Sequence, residues 1–98
     1  MAKVINITDK ISVEKPVIQI GEDMYEVNDT MGVVLKFQEL VSDENNVKIA
    51  LELALGEEAA KKLDFESMRV SNYKVLITAI MAAMQGLTYE EAASRFQG

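Results

Sequence analysis

Apolar residues change their spacing near Asn28. Before it they come in short extended runs, and after it they recur at helical intervals. "VIQI" (17–20) and "MYEV" (24–27) are β-prone runs on either side of "GED", which predicts a hairpin. Upstream, "VINI" and "ISV" are candidates for further short strands, set apart from the hairpin by Pro16. A lone two-stranded hairpin is marginal in water, so this one must pack on a larger body or pair along an edge.

From Asp29 onward the period is that of a helix. Asp29 or Thr30 is positioned to cap a first helix ending near Ser42, with Met31, Val34, Leu35, Gln38 and Val41 on its main face. That alignment exposes Gly32, Lys36 and Glu39 and leaves Val33, Phe37 and Leu40 off the main face. "SDENN" interrupts the pattern. Val47, Ala50, Leu51, Ala54 and Leu55 then follow the i, i+3, i+4, i+7, i+8 rule, with Ile49 and Leu53 behind them and Gly56 as a stop. "EEAAKKLDF" has its acids first and its lysines late, as the helix dipole favours. Ser71 is the expected cap of a long helix closed by Gly86. "TYEE" (88–91) is a capping box for a last helix expected to bury Tyr89, Ala92, Ala93 and Phe96.

The long helix, "NYKVLITAIMAAMQG" (72–86), is the most apolar part of the chain. It does not read as a membrane span, because only fifteen uncharged residues separate Lys74 from Glu90, where about 20 mostly apolar ones are needed. Tyr73, Leu76, Ile77, Ile80 and Met84 form one face, and Val75, Ala79 and Ala82 much of a second. Lys74, Thr78 and Gln85 draw a thin polar stripe that Met81 interrupts. Three helices this apolar cannot all be surrounded in so small a domain. Either the hairpin and short helices cover the surplus faces, or those faces meet another molecule.

Composition narrows the chemistry. With 49% hydrophobic and 27% charged residues, 98 in all, the chain is expected to form a single globular domain. Residues 1–28 are the extended segment with its hairpin, and 29–98 the helical bundle. The fold class is mainly α (α+β), a bundle of about five helices. The formal charge of −6 is spread as −2, −3 and −1 over residues 1–28, 29–56 and 57–98, which argues against nucleic acid as a partner. There is no cysteine and no histidine, so thiolate chemistry and the commonest general base are excluded. The N-terminal residues lack a signal-peptide apolar run, so a cytoplasmic location is the simple expectation. The N-x-T matches at Asn6 and Asn28 are then chance matches to the glycosylation pattern.

Glu57 with Glu58, and Glu90 with Glu91, are neighbours pointing about 100° apart on a helix, so neither pair converges on one atom. Both sit in first turns, where carboxylates stabilise the helix. "SDENN" lacks the spaced acids, glycine and terminal glutamate of a calcium loop. No catalytic residue, metal site or cofactor is expected, and the chain does not read as an enzyme.

"GEDMYEVND" leading into "VVLKFQEL", then "LALGEEAAKKL", then "SNYKVLITAIMAAMQGLTYEEAASRF" resemble the tail assembly chaperones of long-tailed, siphovirus-like bacteriophages of Gram-positive hosts. The likeness runs from about Val17 to the last helix, and residues 1–16 have no counterpart in it. It implies a non-enzymatic protein that binds the tape measure protein, keeps it soluble and helps recruit tail tube subunits. It also implies residence in the host bacterial cytoplasm and absence from the mature virion. A client stripe would dock between helices, with Phe37, Leu40, Ile49, Leu53, Met81 and Met84 as the expected contacts. The alternative is a self-assembling structural or interaction module of a phage or prophage, with hairpin edges pairing between copies as a homo-oligomer.

Overall fold

The computed structural model describes residues 3–96, the Phe96 side chain excepted, and the change of period at Asn28 is where its hairpin gives way to helices. Strand β1 (Val17–Ile20) pairs antiparallel with β2 (Asp23–Glu26), Ile20 facing Asp23. The loop is therefore Gly21–Glu22, one residue shorter than the "GED" reading. Gly21 has φ +64°, the left-handed conformation that two-residue hairpin turns require and glycine adopts without strain. Residues 3–16 form no strand. They hold a single 3-10 turn, Thr8–Lys10, within otherwise irregular chain, because no neighbouring strand offers "VINI" or "ISV" a ladder.

Both N-x-T matches serve the backbone. Asn6 Oδ1 accepts from the Thr8 amide at 3.0 Å and its hydroxyl at 2.7 Å. Asn28 Oδ1 does the same for Thr30, at 3.1 and 2.9 Å. The second of these turns delivers the chain into α1 (Met31–Val41), whose N-cap Thr30 makes no side-chain cap bond of its own. The geometry is an Asx turn, in which a short side chain replaces a missing backbone acceptor.

Helix α1 is rotated from its expected alignment. Val33, Val34, Phe37, Leu40 and Val41 turn inward, while Met31 and Leu35 face water at 74% and 60% exposure. The expected face would have placed Gln38 inside. The observed one centres the helix on Phe37, its largest side chain, and leaves Gln38 exposed. After the Asp43-capped turn Glu44–Asn46, helix α2 (Val47–Leu55) buries Val47, Ala50, Leu51 and Ala54 as its period requires. Gly56 ends α2 and begins α3 (Glu57–Leu63) with no residue between.

Helix α4 (Val70–Gln85) starts one residue before Ser71, with Arg69 at the N-cap and the Arg69 carbonyl accepting from Tyr73 N–H at 2.9 Å. Ser71 is thus an exposed first-turn residue, not the cap. Leu76, Ile80 and Met84 enter the core, joined at its edge by Tyr73, Ile77 and Met81. Thr78 is buried as well, so the polar stripe drawn from the sequence does not reach water there. Its hydroxyl donates to the Lys74 carbonyl at 2.8 Å, which lets a helical threonine go inside without an unpaired donor. Helix α5 (Tyr89–Phe96) folds back on α4 and buries Ala92 completely. Tyr89, expected inside, is 38% exposed, and the expected burial of Phe96 lies outside the described residues.

Thr88 and Glu91 form the capping box. Thr88 Oγ1 accepts from the Glu91 amide at 3.1 Å, and Glu91 Oε1 accepts from the Thr88 amide at 3.0 Å. The Thr88 amide, and after it the Thr88 hydroxyl beside the carboxylate, hold the Glu91 carboxyl below its ordinary value. A depressed carboxyl contributes stability above its unfolded value, about 4.3 for glutamate, and loses it as pH falls through the folded value. Thr88→Ala is therefore expected to cost about 1 kcal/mol. Glu91→Ala should have a lower urea midpoint than the parent at about pH 7, and that difference should shrink as pH falls below the ordinary glutamate value.

The hairpin is seated on the bundle. Tyr25 and Val27, two residues apart on one face, are buried, while Met24 and Glu26 between and beside them are exposed. Val27 N–H donates to the Pro16 carbonyl and Asn28 N–H to the Ala54 carbonyl, both at 2.8 Å. Lys62 of α3 bonds Asp23 Oδ1 at 3.0 Å and lies 6.0 Å from the Tyr25 ring centre. The bond to Asp23 raises the Lys62 ammonium above its ordinary value. One hydrophobic cluster links Val27, α1, α2, Ala60 of α3 and the inner face of α4.

Candidate protein-interaction surface

The six expected contact residues separate into three pairs. Phe37 is fully buried and Met84 nearly so, both in the central cluster. Both therefore point into the core, where the expectation has them on an outward face. Their inward position follows from the rotation of α1 and from Met84 continuing the Leu76–Ile80 stripe. Leu40 and Met81 are half-buried at the edge of the core. Ile49 and Leu53 face solvent at 49% and 37% exposure.

Ile49 and Leu53 are four residues apart, so they stand one above the other on the outer side of α2. Met31 and Leu35 repeat that spacing on α1 and are more exposed still. The period of α1 taken alone predicts these two inside. With α1 anchored through Phe37, the i, i+4 pair of Met31 and Leu35 necessarily faces away from the core. Val70 and Val75 add two exposed aliphatic residues on the first half of α4. Exposed apolar side chains at helical spacing are suited to meeting the apolar stripe of another helix.

A groove of about 470 Å³ runs between α2 and α3, with Leu51, Ala60 and Phe65 contributing apolar walls. Its lining carries four carboxylates (Glu52, Glu57, Asp64, Glu66) and two ammonium groups (Lys48, Lys61), an acidic balance. Glu57 and Glu58 are both exposed in the first turn of α3, and Glu90 and Glu91 in that of α5. Among the described residues no three carboxylates gather as metal ligands, and no buried side-chain polar atom lacks a hydrogen bond. Nor is any helix among them long and apolar enough to cross a membrane.

The largest exposure of apolar side chains lies outside the helices. Val4, Ile5, Ile7, Ile11 and Val13 are all exposed, Val4 at 86% and Val13 at 93%. No family model matches the chain, and neither a curated protein nor a solved structure is significantly similar to it.

Proposed function

We propose that this protein is a non-enzymatic assembly chaperone of a long-tailed bacteriophage, binding the tape measure protein and keeping it soluble while the tail forms. The observation that carries the reading is the outward aliphatic pairs Ile49–Leu53 and Met31–Leu35 on adjacent helices, taken with the family resemblance of the sequence. A long helical client carries an apolar stripe of its own, and covering that stripe removes both surfaces from water. Ile49 and Leu53 are the principal contacts, with Leu40 and Met81 at the margin. Such a protein acts in the host cytoplasm, hands its client to tail tube subunits and leaves before the virion is complete. A self-assembling structural or interaction module of a phage or prophage is the second reading, favoured by a different observation, the exposed aliphatic residues of segment 4–13.

The test is co-expression with the very long, helix-rich protein encoded immediately downstream. The parent chain should raise the soluble fraction of that protein several-fold and co-purify with it. The double variant Ile49→Asp/Leu53→Asp should lose both effects with an unchanged circular dichroism spectrum, since exposed substitutions disturb stability little. A parent chain that neither rescues nor co-purifies with the long protein would sink the proposal.

A further inference from the structure

The N-terminal segment is exposed along its length and rich in aliphatic residues. Between Lys3 and Lys15 every residue is exposed, although Val4, Ile5, Ile7, Ile11 and Val13 are aliphatic. The molecule measures 60 × 30 × 27 Å with a radius of gyration of 15.4 Å, against about 13 Å for a compact 100-residue domain. That is the outline of a body with a projecting limb. The limb also differs from the body in charge. Residues 1–16 carry three lysines and two carboxylates, a net +1, whereas residues 17–98 carry seven basic and fourteen acidic groups, a net −7.

We infer that residues 4–13 of one copy dock on the outer face of α2 in a second copy, reciprocally, so that two chains exchange arms. The arm's aliphatic residues cover Ile49 and Leu53, and Lys3 and Lys10 lie against the carboxylates of the α2–α3 groove, Glu52 and Glu57 among them. Area supports a second copy as the occupant. Two arms whose aliphatic residues are covered, with the surfaces beneath them, bury on the order of 1,000–2,000 Å², the range of a specific, stable interface. Lys3 and Lys10, opposed within the arm only by Asp9, give its tip a slight positive excess that suits the acidic groove. An isologous exchange satisfies both surfaces at once and closes at two chains.

The inference deepens the self-assembly reading, and it engages the α2 face that the proposed function gives to the client. Client and arm therefore compete for that face. Measuring association with no client present separates the two, because a monomeric protein can still bind a client and a client-blind protein can still dimerise.

The experiment is sedimentation equilibrium of the full chain, beside the arm variant Ile5→Asp/Ile7→Asp/Ile11→Asp and the face variant Leu53→Asp. The parent should be a dimer at tens of micromolar. Both variants should associate at least about 100-fold more weakly while keeping the parent's circular dichroism spectrum. Because the chain has no cysteine, a second readout is available. Ile7→Cys and Leu53→Cys chains carrying different tags should, when mixed and oxidised, give a mixed disulfide dimer far faster than an Asp9→Cys control paired with the same Leu53→Cys chain. A parent monomeric at every concentration overturns the inference. So does a dimer that survives both variants, or an Ile7→Cys/Leu53→Cys double variant that cross-links only within one chain.

Discussion

Phe37→Ala will lower the stability of the fold by about 3–5 kcal/mol, seen as a large drop in the urea midpoint. Phe37 is at 0% exposure at the centre of the inner face of α1, in the cluster that also holds Leu51, Ala54, Ile80 and Met84. Removing the ring takes away its transfer free energy and leaves a hole that a packed interior closes only in part. Leu35, two residues earlier on the same helix, is 60% exposed, and Leu35→Ala should fall within about 0.5 kcal/mol of the parent. The contrast fixes which side of α1 faces inward. If Leu35→Ala proves the costly change and Phe37→Ala the mild one, the helix is rotated from the orientation described here and the contact assignments on α1 exchange places.

Gly56→Ala is the second change expected to have a large effect, about 1–3 kcal/mol. Gly56 has φ 93° and ψ 158°, a region that residues with a β-carbon essentially do not occupy. No atom lies within 4 Å of where that carbon would stand, so crowding contributes nothing and the whole cost is backbone strain. The position leaves no room to relax, since the Gly56 amide donates to the Glu52 carbonyl and the Gly56 carbonyl accepts from Ala60. One residue closes α2 and opens α3. Gly86 supplies the control, because its φ 68° and ψ 29° are ordinary left-handed helix values, which asparagine tolerates. Gly86→Asn should be mild in thermal denaturation, whereas Gly56→Asn should cost as much as Gly56→Ala. Equal effects at the two glycines would show that strain at Gly56 is not what sets the α2–α3 junction.

These two residues mark where reading the chain succeeded and where it failed. Gly56 and Gly86 stop helices by local backbone preference, and the Thr88–Glu91 box starts one by local hydrogen bonds. Signals that act within four residues were legible. So was the inner face of α2, whose polar residues leave only one orientation. The face of α1 was not, because apolar residues surround much of that helix and two alignments fit its pattern nearly equally. What decided between them was the volume of Phe37 set against α2 and α4, a tertiary quantity. Thr78 failed for a related reason. A threonine that bonds its own helix counts as apolar in packing, although its hydroxyl marks it as polar in a wheel. Of the candidate surface, Ile49 and Leu53 were readable from the regularity of α2. Met31 and Leu35 became visible only once α1 had an orientation.

The short link at Val27 and Asn28 has a consequence for how the protein is divided. Its side chain at Val27 fills the interior, and its Asn28 amide is held by the last turn of α2. A fragment trimmed to begin at Asp29 would keep every helix and still be hollow, with the Ala54 carbonyl stripped of its donor. The smallest piece worth excising therefore starts upstream of β1, and the boundary between strand and helix periodicity is no place to cut.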